Sequence, residues 1–349
     1  MIYMNILVLG GTGAMGTHLI SFLSENKDVT VTVTSRKERE SHGNINYIVG
    51  NARDSVFMKR LLFNAHYDVI VDFMNYNYEE FLEYHPALLA ATDHYIFLSS
   101  SRVYANYEGR ITEKCPRLLE TTKDKDFLST NRYALRKARE EDMLKASGKT
   151  NYTIIRPYIT YSNRRLQLGI YEKEEWLYRV LNDKPLIISE GVLDKTTTLT
   201  FGKDVSYGIY KIILGKPLSS AVHITTMENL TWLEILKIYA SIIKEETGKD
   251  FVLYTSHEIK SVEMIYEGGY NTIYDRQWNR KFDNALAEKV CGHMDYLGMR
   301  EGLSSCLKEF LHDWKKCGNN LFLPLNAEYE SKMDKLTQDD SVQKNLVQL

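Results

Sequence analysis

Apolar and polar positions along the first 160 residues switch between two periods. Short β-branched or apolar runs at Asn5–Leu9, Val29–Thr34, Tyr47–Val49, Val69–Phe73, Tyr95–Ser99 and Tyr152–Arg156 each predict a strand. Between them, Met15–Glu25, Ser55–Phe63, Tyr78–Ala91 and Arg132–Ala146 carry the longer period of a helix. Strands that alternate with helices predict a parallel sheet covered on both faces. Because such crossovers are right-handed, the sheet is expected to be doubly wound.

Beyond residue 160 this rhythm is lost. Residues 163–185 mix charge with aromatic side chains (Arg164, Arg165, Trp176, Tyr178) and predict a helix at the rim of a substrate site. Residues 196–212 read as a strand and a helix returning to the first unit. Residues 230–247 and 301–315 are strongly amphipathic, the latter with Leu303, Leu307 and Leu311 one turn apart. From about Glu330 the chain is polar and is expected to fray.

Composition narrows the class. The 349 residues have room for two domains, with 44% apolar and 26% charged side chains and a net charge of −2, so no basic surplus points to nucleic acid. No apolar stretch approaches the ~20 residues of a membrane helix. The N-terminus has no basic leader or cleavage signature before its first strand. Cys115, Cys291, Cys306 and Cys317 are scattered without a C-x-x-C pair and read as reduced thiols, which fits the cytoplasm. His42, His66, His85 and His94 fall on separate elements, and no metal-ligand spacing stands out.

The first turn carries chemistry. Gly10, Gly13 and Gly16 follow a G-x-x-G-x-x-G spacing between the first strand and the first helix. One glycine permits a tight turn, one lets backbone approach a pyrophosphate, and one lets helix and strand pack closely. Ala14 and Met15 lie at the helix N-terminus, whose N–H groups suit phosphates. The first 160 residues are therefore expected to form a Rossmann-type dinucleotide-binding domain, with a return segment near 196–212. A smaller, discontinuous α/β substrate domain is expected over 161–330, followed by a polar tail over 331–349. The second strand ends at Ser35, Arg36 and Lys37 with no acid to hold a ribose 2′-hydroxyl, which favours NADP over NAD. Asn51 and Ala52 follow the third strand near the expected adenine, and Asp54 there reads equally as a helix N-cap. Phe73, Met74 and Ser99 close strands at the carboxyl edge, where ligands of such sheets bind.

Tyr133 and Lys137 form a Y-x-x-x-K pair on one helix face, and Ser99, Ser100 and Ser101 end a buried strand some 30 residues upstream. A hydride transfer at a carbon needs a proton moved at its oxygen. Tyrosine, with an ordinary pKa of about 10, needs nearby positive charge to act as base, and a serine hydroxyl can hold the oxygen.

On these motifs the sequence resembles the extended short-chain dehydrogenase/reductase, or NAD-dependent epimerase/dehydratase, family over roughly residues 4–215, and more weakly to about 315. The resemblance implies a catalytic Ser100, with Ser101 as the alternative, together with Tyr133 and Lys137, the latter also bonding the nicotinamide ribose. Arg156 and Pro157 match the family's R-P segment, which places Pro157 by the nicotinamide and Tyr158 by the substrate. Where the 4,6-dehydratases carry Thr-Asp-Glu, this chain has Ser100, Ser101 and Arg102, so water elimination is not expected, and Ser101 and Arg102 are candidate substrate contacts. The position of a diphosphate-binding Asn is Ile159 here, so Asn163, Arg164, Arg165, Arg276 or Arg280 are candidates for that task. The resemblance further implies an NAD(P)-dependent sugar epimerase or ketoreductase acting on a nucleotide sugar, with the hydride either spent in net reduction or returned to the same sugar in epimerisation, and a homodimer paired through the helices at about 78–91 and 132–146; charge and hydropathy lead to no nucleic-acid or membrane partner being expected. Two other readings stay open: reduction of a non-sugar carbonyl in a cleft lined by Tyr76, Tyr78, Tyr107, Tyr158 and Tyr161, and a non-catalytic cofactor-sensing or RNA-associated protein.

Overall fold

The computed structural model describes residues 3–256, 269–340 and 345–347. Six strands, β1 (Met4–Leu9), β2 (Val29–Ser35), β3 (Ile45–Val49), β4 (Tyr67–Asp72), β5 (Thr92–Leu98) and β6 (Tyr152–Pro157), lie in the order 3-2-1-4-5-6 with every pair parallel. A seventh, Ala221–Ile224, adds to the outer edge of β6 with Val222 opposite Ile155. It went unpredicted because four residues with a histidine among them show no readable period. The helices α1 (Gly16–Glu25), α2 (Ser55–Leu62) and α3 (Tyr78–Ala90) follow β1, β3 and β4.

Alternate residues of the central strands bury opposite faces. Ile6, Val8, Val31 and Val33 pack with Leu19, Ile20 and Leu23 of α1 and with Val205, Ile209 and Ile212 of the helix Gly202–Ile213. Leu7, Leu9, Ile70 and Phe97 pack the other way, against Phe81 and Leu88 of α3 and Leu144 of the helix Tyr133–Ala146. Burying a side chain of this size contributes roughly 1.5–3 kcal/mol, so strands apolar on both faces hold the sheet centre rigidly. The helix Gly202–Ile213 starts against Ala14, and Ser206 Oγ donates to the Met15 carbonyl at 2.7 Å, tying this later segment to the glycine loop.

A separate core lies in the second half of the chain. Trp176 and Leu177 of the helix Lys173–Leu181 pack with Leu186, Ile187 and Ile188, with Ile235 and Tyr239 of the helix Trp232–Thr247, and with Leu303, Leu307 and Leu311 of the helix Met299–Cys317. Thr231 and Glu234 form a capping box at the start of Trp232–Thr247, and Gly248 closes it at φ +74°. No helix among the described residues is long and apolar enough to cross a membrane.

The expected polar tail is a correction. Ala327–Gln338 is a helix, and Asn345–Leu346 pairs antiparallel with the strand Leu253–Ser256. Tyr329 and Met333, one turn apart, are buried, while the completely buried Arg179 reaches Glu330 at 2.9 Å and Asp334 at 2.7 Å. Tyr329, Met333 and Leu336 keep a helical spacing, but among Glu328, Glu330, Lys332, Asp334 and Lys335 that short stripe is masked by charge, and the docking also uses a cation about 150 residues away. Limited trypsinolysis of the native protein is expected to spare Lys332 and Lys335, and Arg179→Ala to expose them. Equal cleavage in both proteins would contradict the docking.

Candidate active site

The parallel order brings the carboxyl ends of β1 to β6 to one edge, with β1 between β2 and β4, where the direction of winding reverses. Each glycine of the first loop has a distinct setting there. Gly10 adopts φ +71°, and a Cβ on it would lie 2.8 Å from Met74 Sδ. A Cβ on Gly16 would lie 2.5 Å from the Gly11 carbonyl, so helix and loop touch backbone to backbone. Gly13 is exposed and faces open space. The open backbone at Gly13, beside the N-terminus of α1, fits a dinucleotide pyrophosphate. A cavity of about 760 Å³ opens here between Thr12, Gly13 and Ala14 on one side and Arg164, Arg165, Lys173 and Phe310 on the other.

At the end of β2, Ser35 is buried and its Oγ accepts from Lys37 N–H at 3.3 Å, while Arg36 is exposed. Thr34 Oγ1 accepts from Gly10 N–H at 3.1 Å and fixes the glycine loop against this strand end. After β3, Asn51 is exposed, Ala52 is buried, and Asp54 caps α2 by accepting from Phe57 N–H at 2.7 Å. After β4, Phe73 and Met74 are half-buried; Met74 N–H donates to Asp72 at 2.9 Å.

The three serines after β5 have three different environments. Ser99 Oγ donates to Glu141 at 2.6 Å, and Ser101 Oγ donates to the Arg156 carbonyl at 2.7 Å. Both hydroxyls therefore donate into the floor of the site. Ser100 Oγ caps the short turn Ser101–Val103 by accepting from Arg102 N–H at 3.2 Å, and among the described residues it donates to nothing. The helix Tyr133–Ala146 packs on that turn, with the half-buried Tyr133 at its first position. Arg102 and Arg136 lie over the Tyr133 ring at 5.3 and 5.7 Å, so two guanidiniums flank the phenol. Lys137, one turn on, is buried with Nζ 2.9 Å from Glu140 and 4.5 Å from the centre of the Phe97 ring. Burial holds Glu140 above the usual carboxylate range despite Lys137 beside it, and pushes Asp72 nearby up to about 6 against bonds from Tyr95 and Met74.

Beneath these groups, Glu141 accepts from Arg156 at 2.8 and 2.5 Å and from Arg117 at 3.2 Å. Burial alone would push its carboxyl up; the bonds from Arg156 and Ser99 and the Arg117 charge outweigh it and hold the group below the usual range.

The expected substrate residues separate into two groups. Asn163, Arg164 and Arg165 line the cavity, with Asn163 donating to Glu309 at 2.5 Å and Arg165 paired to Glu172 at 2.8 Å. Arg276 and Arg280 do not: Arg276 donates to the Gly169 carbonyl at 2.8 Å and to Asp275, and Arg280 donates to Asp275 at 2.8 Å and to the Ala105 and Tyr104 carbonyls at 3.0 Å. Tyr158 is buried and donates to Asp275 at 3.1 Å. These three side chains converge on Asp275. Tyr76 and Tyr161 are wholly buried in the cores. Pro157 ends β6 and is buried. Asn271 and Asp275, which meet Arg102, had no signal in the sequence because they lie about 170 residues from it.

The profile of the NAD dependent epimerase/dehydratase family matches residues 6–188. No curated protein matches the sequence. Among solved structures, MoeE5 in complex with UDP-glucuronic acid and NAD is similar over 88% of this chain and 99% of its own, at 20% identity and a TM-score of 0.66. A UDP-N-acetylglucosamine 4-epimerase from Methanobrevibacter ruminantium, in complex with UDP-N-acetylmuramic acid, covers 90% and 100% at 17% identity and a TM-score of 0.67. A UDP-glucuronic acid 4-epimerase from Bacillus cereus covers 89% and 99% at 17% identity and a TM-score of 0.66. At these identities the likeness establishes a shared fold.

Proposed function

This chain belongs to the NAD dependent epimerase/dehydratase family, and we propose that it transfers a hydride between a nicotinamide dinucleotide and a hydroxyl or ketone carbon of a nucleotide sugar. The observation that carries this reading is the division of labour among the three serines. Two are spent on structure, and Ser100 alone keeps a hydroxyl to offer beside Tyr133. The nicotinamide, when bound, supplies or accepts the hydride. Ser100 holds the substrate oxygen, and Tyr133 gives or takes the proton there. Lys137 and the guanidiniums of Arg102 and Arg136 bring positive charge to this end of the site. Water elimination is not part of the reaction, because the two positions after Ser100 hold Ser101 and Arg102 rather than acids.

Gly10, Gly13, Ala14, Met15 and Gly16 would hold the pyrophosphate, Asn51 and Ala52 the adenine side, and Phe73, Met74 and Pro157 the nicotinamide side. Between the two dinucleotides, exposed Arg36 beside the Ser35 backbone, with no carboxylate ending β2, favours the 2′-phosphate of NADP. Titration with NADPH and NADH, followed by nicotinamide fluorescence, is expected to show tighter NADPH binding and a loss of about 10- to 100-fold in Arg36→Asp. NADH preference in the unaltered protein would contradict this assignment. The protein is further proposed to act in the cytoplasm as a homodimer through α3 and the helix Tyr133–Ala146, where Leu82 stands half-exposed.

A further inference from the structure

Three guanidiniums converge on one carboxylate beside the reacting groups. Asp275 accepts from Arg280 at 2.8 Å and from Arg276, and also lies 3.4 Å from Arg102 Nε. Tyr158 donates to the same carboxylate. Arg276 and Arg280 spend their remaining donors on backbone carbonyls, on Gln167 and on Tyr158. Arg102 is placed differently. It follows Ser100 by two residues, its guanidinium lies over the Tyr133 ring, and it donates to the neutral side chain of Asn271. Its Nε makes no hydrogen bond among the described residues. Burial first, and then the Arg280 and Arg165 charges, hold Arg102 below the ordinary arginine range, and burial does the same to Arg276, down to about 10. A largely buried cation whose only carboxylate among the described residues is shared with two others is poised for an anion.

We infer that Arg102 receives a carboxylate borne by the sugar itself, next to the carbon that reacts, so that the substrate is a nucleotide-linked uronic acid. The placement decides between the two anions such a substrate carries. Arg102 lies at the Ser100–Tyr133 end, where the sugar carbon undergoing chemistry must sit. Other cations, Arg164 and Lys173, stand on the wall of the cavity facing Gly13, where Lys173 is paired to Glu174 and where Glu172, Glu309 and Asp313 also line the wall, and these two are the ones left for the diphosphate. A guanidinium matches a carboxylate with two parallel bonds, which a neutral hydroxymethyl group at the same carbon cannot reproduce. The inference rests on the nucleotide-sugar reading above and adds the acidic group.

Calorimetric titration of the dinucleotide-loaded protein with UDP-glucuronic acid, UDP-glucose and UDP tests it. Binding of UDP-glucuronic acid is expected to be about 10- to 100-fold tighter than that of UDP-glucose. Arg102→Gln should erase that difference while leaving UDP and UDP-glucose within about two-fold, and Arg102→Lys should keep part of it, since the charge remains without the planar fork. Equal affinity for the two sugars in the unaltered protein overturns the inference, as does an equal fall for all three ligands in Arg102→Gln, which would place the diphosphate at Arg102. Failure of the unaltered protein to bind even UDP overturns the nucleotide-sugar reading itself, and the inference with it.

Discussion

Tyr133→Phe is expected to lower turnover by roughly 10²- to 10⁴-fold while leaving dinucleotide binding nearly unchanged. The substitution removes one hydroxyl and nothing else. The ring keeps its place at the first turn of the helix Tyr133–Ala146, between the Arg102 and Arg136 guanidiniums. The oxygen of the reacting carbon would still meet Ser100, but no group would exchange its proton, so the loss falls on kcat more than on KM. Lys137→Met should behave differently. It removes the buried cation that Glu140 faces at 2.9 Å, so both dinucleotide affinity and turnover should fall. Steady-state rates set beside fluorescence titrations of each variant separate the two cases. A Tyr133→Phe enzyme with near-normal turnover would remove tyrosine from the chemistry.

The largest effect on stability is expected at Glu141. Its carboxylate is wholly buried and answers Arg156, Arg117 and Ser99 together, joining β5, β6, the helix Tyr133–Ala146 and the segment at Arg117. Glu141→Ala leaves two buried guanidiniums without that carboxylate, and removal of one partner from such an arrangement costs about 3–5 kcal/mol. Because the folded carboxyl titrates below its ordinary value, the stability it contributes is present above about pH 4.5 and is lost as the pH falls through the lowered folded value. Urea unfolding at neutral pH should show the full difference, and the difference should shrink on acidification. A loss below about 1 kcal/mol at neutral pH would mean the guanidiniums find other partners.

What the sequence discloses and what it hides follow from range. The glycine loop, the serine-tipped strand and the Tyr133–Lys137 spacing are local patterns, each set by one turn or one strand end, and each is visible without knowing the fold. Strands β1 and β5 are visible as largely apolar runs buried on both faces, β4 and β6 as shorter apolar runs, β2 as a β-branched Val/Thr alternation, and β3 as a short run at the sheet edge. The partners of Arg102 are not visible: Asn271, Asp275 and Arg280 reach it only after the second half of the chain has folded back over the sheet edge. For the same reason Arg276 and Tyr158, plausible ligand contacts by type, prove to be bound to a carboxylate that no spacing reveals. Glu140 and Glu141 adjoin in sequence yet serve opposite ends of the site, one beside Lys137 and one beneath Ser99. Only the helical angle between them separates the roles. The helix Ala327–Gln338 hides behind its charge, since its anchors are ion pairs to Arg179 and Lys184 as much as apolar contacts.

The most direct test of the central claim follows one hydrogen. UDP-glucuronic acid deuterated at every sugar carbon would be incubated with the protein and stoichiometric oxidised dinucleotide, NADP and NAD in parallel, and the dinucleotide examined by mass spectrometry. Deuterium in the nicotinamide of the unaltered protein's sample when the reaction is quenched within the first turnover, before the deuteride can return to the sugar, and none in that of Tyr133→Phe, is the predicted result. A dinucleotide that binds at the glycine loop yet gains no deuterium from this sugar or from equally deuterated UDP-glucose would contradict hydride transfer at a nucleotide-sugar carbon.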